Sequence, residues 1–101
     1  MKNPDRTTVL RLDQLPNIGK ALAADLQLIG IERPQQLIGQ DPLALYRALA
    51  EKTGLRPDPC VLDSFMAVVN FMEGGEPRPS WSFTAERKRR YGQLVNPEVA
   101  G

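Results

Sequence analysis

Histidine is absent from the sequence, which removes imidazole general bases, Ser-His-Asp triads and histidine-ligated metals together. Cysteine occurs once, at Cys60. An internal disulfide is therefore impossible, and a cysteine-based zinc site would need at least one more thiol. Long hydrophobic runs are missing as well: the longest uncharged stretch, Ser64 to Met72, is nine residues, against about 20 for a membrane span. The opening residues, Met1 to Leu10, are too polar for a secretory signal. Nor does one sign of charge dominate. Thirteen Lys and Arg face twelve Asp and Glu, a net charge of +1, which does not mark a strongly basic nucleic-acid binder but leaves room for a local basic patch. These absences describe a cytoplasmic protein of a reducing compartment, with no metal, no cofactor and no membrane contact expected.

What remains is a chain of 101 residues, 42% of them hydrophobic, enough for one compact domain that buries about two-thirds of its unfolded surface. Glycine and proline punctuate it at helical spacing. Gly30, Gly39, Gly54 and Gly74 each follow an apolar-periodic segment, where a left-handed terminal residue would sit. Pro34, Pro42 and Pro59 open the next segments, and Asp41 and Asp58 stand as N-caps before two of them. Between these marks the pattern is helical: Val61, Phe65, Val68 and Met72, widened by Leu62 and Val69; Leu22, Leu26 and Ile29; Leu45 and Leu49 beside Tyr46. Shorter segments run from about Thr8 to Leu15 and from Pro34 to Ile38. The alternation through Val9 to Leu12 has no partner strand. The expected fold class is all-α, with about five short helices over residues 8–74. Residues 75–101 read as a linker from Gly74 to Pro79, an aromatic segment with Trp81 and Phe83, and a partly ordered basic tail. Charge divides the same way, the middle of the chain being acidic and its end basic.

The most specific local signal is Leu15-Pro16-Asn17-Ile18-Gly19-Lys20. A helix ends near Leu15, and Asn17 and Gly19 tolerate positive φ in a tight turn. Ile18 between them turns inward against Leu12 and Leu22. The second helix starts at Gly19 or Lys20, with unpaired N–H groups, the positive end of its dipole and the Lys20 ammonium facing outward. That combination is an anion site. It is not a nucleotide-hydrolysis loop, because Gln14 and Ala21 stand where a Walker motif needs Gly and Ser or Thr.

Over Leu12 to Ile31 these residues resemble a helix-hairpin-helix motif, which grips the phosphodiester backbone without reading bases. Asn17-Ile18-Gly19 departs from that motif's Gly-hydrophobic-Gly at one position, which a left-handed Asn absorbs. Through Gly30-Ile31, Asp41 to Tyr46 and Asp58 to Leu62, the likeness extends over about Leu12 to Phe83. There the chain is similar to the small bacterial pathogenicity-locus and mitomycin-resistance proteins, and more distantly to the carboxy-terminal domain of the competence regulator TfoX. The resemblance implies a compact SAM-like or tandem helix-hairpin-helix-type bundle. A second hairpin would fall at Thr53 to Asp58, but Pro57 and Pro59 lack an N–H and Asp58 repels an anion. With only Arg56 to compensate, that turn reads as structural.

The remaining candidates are weaker. Cys60 sits at the start of a helix, where a dipole lowers a thiol pKa, but a small buried residue is the plainer reading. Asp13, Asp25 and Asp63 read as solvated helix faces rather than metal ligands. Trp81 and Phe83 have the chemistry to stack on bases, though a lone Trp after a linker more often covers an open edge of the core. Arg87, Lys88, Arg89 and Arg90 form the strongest electrostatic footprint. The leading expectation is a non-catalytic module that binds DNA weakly and without sequence specificity. Asn17, Ile18, Gly19 and Lys20 hold a backbone phosphate, and Arg87 to Arg90 add diffuse attraction. The alternative is a protein-interaction module that kept the fold and lost the nucleic-acid grip. No constellation of acid, base and nucleophile points to an enzyme, and no small-molecule substrate is evident.

Overall fold

In the computed structural model, which describes residues 1–95 and their side chains through residue 92, the chain is all-α. Its helices are α1 (Lys20–Leu28), α2 (Pro42–Thr53), α3 (Pro59–Met72) and α4 (Thr84–Val95). Single 3-10 turns lie at Leu12–Gln14, Pro34–Leu37 and Ser80–Phe83. The described residues include no strand, and none of their helices is long and apolar enough to cross a membrane.

Local chemistry accounts for α2 and α3. The Asp41 carboxylate accepts from the Leu43 N–H at 3.1 Å and the Asp58 carboxylate from the Cys60 N–H at 2.8 Å. Pro42 and Pro59 fill first-turn positions whose N–H would be unpaired in any case. Gly54 closes α2 in the left-handed region at φ 73° and donates its N–H to the Ala50 carbonyl at 2.9 Å, a conformation that costs a Cβ-bearing residue about 1–2 kcal/mol. Gly30, Gly39 and Gly74 are left-handed too.

Two of the expected short helices shrink to 3-10 turns. The segment from Thr8 to Leu15 keeps only Leu12–Gln14, because Pro16 has no N–H to continue a helix and holds Leu15 extended, at φ −77° and ψ 151°. Ahead of it, the amides of Thr8 and Val9 both turn back to the Asp5 carbonyl. The Pro34 to Ile38 segment is likewise the single turn Pro34–Leu37.

Helix α3 is the axis of the molecule, packed by α2, the Pro34–Leu37 turn, the Ser80–Phe83 turn and α4. Every residue from Leu62 to Val69 is buried, as are Phe71 and Met72. A helix buried all round needs cover on the face that its apolar stripe does not use. Described residues beyond 75, expected as linker and tail, supply that cover. They form the Ser80–Phe83 turn and run without a break into α4, whose last residues before 96–101 close the described chain. Phe83, Arg87 and Tyr91, spaced i, i+4 and i+8, face α3 and are buried. Asp63, expected on a solvated face, is instead buried opposite Arg87. Its carboxylate accepts from Arg87 Nε at 2.7 Å and from the Thr84 hydroxyl at 2.7 Å.

Candidate functional site

The turn that leads into α1 is set by three side chains that leave water. Leu15, Pro16 and Ile18 are fully buried, and the Ile18 N–H closes the turn on the Leu15 carbonyl at 3.2 Å. Asn17 between them is the only non-glycine residue at positive φ among the described residues, at 68°. Burial of Ile18 drives the turn, and a left-handed Asn17 is the geometric requirement for putting it there.

Gly19 differs from the expectation. Its φ of −97° and ψ of −168° are extended backbone open to any residue, and no atom lies within 4 Å of where a Cβ would stand. Its role is to be the N-cap of α1 with no side chain to cap it. As a result, the amides of Lys20, Ala21 and Leu22 have no acceptor among the described residues; the first intrahelical bond runs from the Ala23 N–H to the Gly19 carbonyl at 2.9 Å. The Lys20 side chain is exposed beside them. An anion here would meet aligned donors, the positive end of the α1 dipole and an ammonium.

Two further groups complete the hairpin. Lys2 Nζ donates to the carbonyls of Ile18 and Asp13, each at 2.7 Å, which leaves one of its three donors for an outside acceptor. A second cation thus stands at the turn, supplied by a residue with no sequence signal tying it to the hairpin. Both polar atoms of the Asn17 side chain are taken by another segment: Nδ2 donates to the Arg78 carbonyl at 2.7 Å, and Oδ1 accepts from the Ser80 N–H at 3.0 Å. Asn17 therefore shapes and anchors the turn rather than offering its own amide to an anion. Nearby, a bidentate ion pair with Arg11 holds the Asp13 carboxyl below the ordinary carboxylate range, helped by the charges of Lys2 and Lys20.

The basic run divides. Arg87 is committed to Asp63 inside the molecule, so it adds nothing to the surface footprint expected of it. Arg90 pairs with Glu86 at 3.0 Å and lies over the Tyr91 ring. Lys88 and Arg89 are exposed and form no ion pair among the described residues. The aromatic pair divides as well. Phe83 covers the core, under the Arg78 guanidinium at 4.1 Å, whereas Trp81, expected to do that covering, is 74% exposed.

At the other end of α2, the turn Thr53 to Asp58 is occupied with its own structure. The Thr53 hydroxyl bonds to the carbonyls of Leu49 and Leu55, Asp58 caps α3, and the Tyr46 hydroxyl donates to the Pro57 carbonyl. Cys60 is exposed rather than buried, and its hydrogen bond with Asp58, followed by partial desolvation, pushes the thiol pKa up. Its environment favours the thiol over the nucleophilic thiolate. Among the described residues, no three His, Cys, Asp or Glu side chains converge on a point where they could hold a metal ion.

The description of the pathogenicity-locus family matches residues 5–89. The chain is 42% identical over 78 residues to a Streptomyces lavendulae protein named mitomycin resistance protein McrB, a stretch covering 77% of this chain and 74% of that one. No solved structure matches.

Proposed function

The chain belongs to the pathogenicity-locus family, and from that starting point we propose that it is a non-catalytic module which binds nucleic acid by its phosphate backbone. The observation behind this is the uncapped start of α1, where three amides without acceptors stand beside Lys20 and Lys2. Such a hairpin offers charge and aligned donors but no side chain placed to read a base edge, so it tolerates any sequence. Lys88 and Arg89 extend the attraction at longer range. For a relative of a mitomycin-resistance protein, an accessory role in DNA protection, repair or drug resistance follows from this reading.

A titration against duplex DNA at two salt concentrations tests it. Three or four phosphate contacts predict a log–log salt slope of roughly −2.7 to −3.6, independent of base sequence. Lys20→Ala should weaken binding modestly at unchanged melting temperature. Affinity that ignores both salt and Lys20 would transfer the hairpin to the protein-interaction alternative.

A further inference from the structure

Tryptophan carries one of the largest apolar surfaces of any side chain, so leaving it in water forgoes much burial. Trp81 is nonetheless 74% exposed, and the backbone on both sides of it is fixed. Ahead of it, Ser80 donates to the Asn17 side chain at 3.0 Å. Behind it, the N–H and the hydroxyl of Ser82 both donate to the Pro79 carbonyl, at 3.0 and 2.7 Å, and Phe83 is locked into the core. The ring is held out by a rigid support.

The Ser80–Phe83 turn continues directly into α4, so Trp81, Ala85 four residues on, and Lys88 and Arg89 three and four residues beyond Ala85, share one exposed face. The neighbouring charges are spent elsewhere, Arg87 on Asp63 and Arg90 on Glu86. The face therefore carries one aromatic plane and two cations without ion-pair partners, over about 12–15 Å. The bonds from Asn17 to residues 78–80 hold this face next to the hairpin.

We infer that Trp81, Lys88 and Arg89 form a binding strip for single-stranded nucleic acid, with an unpaired base stacked on Trp81 and flanking phosphates at Lys88 and Arg89. An aromatic plane in line with cations is how proteins hold single strands regardless of sequence. A duplex cannot use the plane, because its bases are paired and must be unstacked first. The strip deepens the backbone-binding reading and rests on it for the adjoining contact at the hairpin.

Trp81 is the only tryptophan in the chain, so emission excited at the red edge of the indole band, where the two tyrosines do not absorb, reports the strip. Titration with short oligothymidylate should quench that emission, and a duplex of equal length should leave it nearly unchanged. Trp81→Ala should weaken oligothymidylate binding about five- to 150-fold, and Trp81→Phe should recover most of it. Duplex affinity should not move in either variant. Replacing Lys88 and Arg89 with Gln should each flatten the single-strand salt slope by about 0.7. Oligodeoxyuridylate and oligouridylate, run in parallel, differ only in the 2′-hydroxyl, so the tighter of the two identifies the preferred sugar. Saturation without quenching, or an unchanged single-strand affinity in Trp81→Ala, overturns the strip even where Lys20-dependent duplex binding stands. Loss of single-strand binding in Trp81→Ala together with a silent Lys20→Ala keeps the strip and rejects the hairpin. Failure of every probe to bind rejects both.

Discussion

Ser80 donates its backbone N–H to the side-chain oxygen of Asn17 at 3.0 Å, across 63 positions of the chain. The same side chain donates to the Arg78 carbonyl at 2.7 Å, so one residue both takes the left-handed conformation that makes the hairpin and fastens the hairpin to the segment before α4. These two duties can be separated. Asn17→Gly keeps the backbone conformation and loses both bonds, at about 1–2 kcal/mol. Asn17→Ala loses the bonds and also forces a Cβ into the left-handed region, about 1 kcal/mol more. Equal urea midpoints for the two variants would mean that the conformation at position 17 carries no stability.

Gly19 offers a way to set stability against binding. It caps α1 from an extended backbone with open space around it, which is where Asp, Asn or Ser is ordinarily found. Gly19→Asp should stabilise the protein by roughly 0.3–1 kcal/mol, because the carboxylate fills the free amides and complements the helix dipole. The same carboxylate occupies the place of a phosphate, so duplex binding should fall steeply. A variant that melts higher and still binds DNA would show that these amides take no part.

The pair Asp63 and Arg87 is buried on both sides, and removing one member leaves the other charged and without a counter-ion. Asp63→Ala should cost about 3–5 kcal/mol, whereas replacing both residues by apolar ones of similar volume should cost much less. A double-mutant cycle measures this, and additive losses would contradict a coupled pair.

Asp58 links a helix cap to a thiol. Its bonds to the Cys60 amide and side chain hold its carboxyl below the ordinary range. A depressed carboxylate adds stability that is complete above its unfolded-state pKa and is lost as pH falls through the folded value. Asp58→Asn still caps α3, so stability near pH 7 should change little while the acid limb of a circular-dichroism pH titration becomes shallower. The substitution also removes the negative charge that helps raise the Cys60 pKa and leaves the thiol only a weaker amide-oxygen acceptor, so alkylation of Cys60 at mildly alkaline pH should speed up. Unchanged labelling would place the cause elsewhere.

The sequence made some of these features legible and hid others for physical reasons. Helices α2 and α3 announce themselves because their signals are local: an Asp-Pro pair at each start, a glycine at or just beyond each end, and apolar residues at one period. Ile18 was readable for the same reason, as an apolar residue locked between two turn formers. Helix α4 was hidden because the middle of its buried stripe is Arg87, a charge that the pattern Phe83-x3-Arg87-x3-Tyr91 cannot reveal without Asp63. The opposite fates of Trp81 and Phe83 depend on which side of a 3-10 turn meets α3. Lys2 and the segment at 78–80 reach the hairpin from the two ends of the chain, and nothing near Asn17 marks them as its partners.

This closure of distant segments also sets the order in which the protein can be made. During synthesis, Leu12 to Leu28 leave the ribosome early with a turn and a helix ready to form. The carbonyl and amide that anchor Asn17 belong to Arg78 and Ser80, and α3, which the turn at Ser80–Phe83 covers, also comes later. The hairpin is written near the beginning of the message and is finished only when most of the message has been read. A nascent chain halted at Gly74 would carry every residue of the phosphate-binding turn and still lack the segment that anchors it.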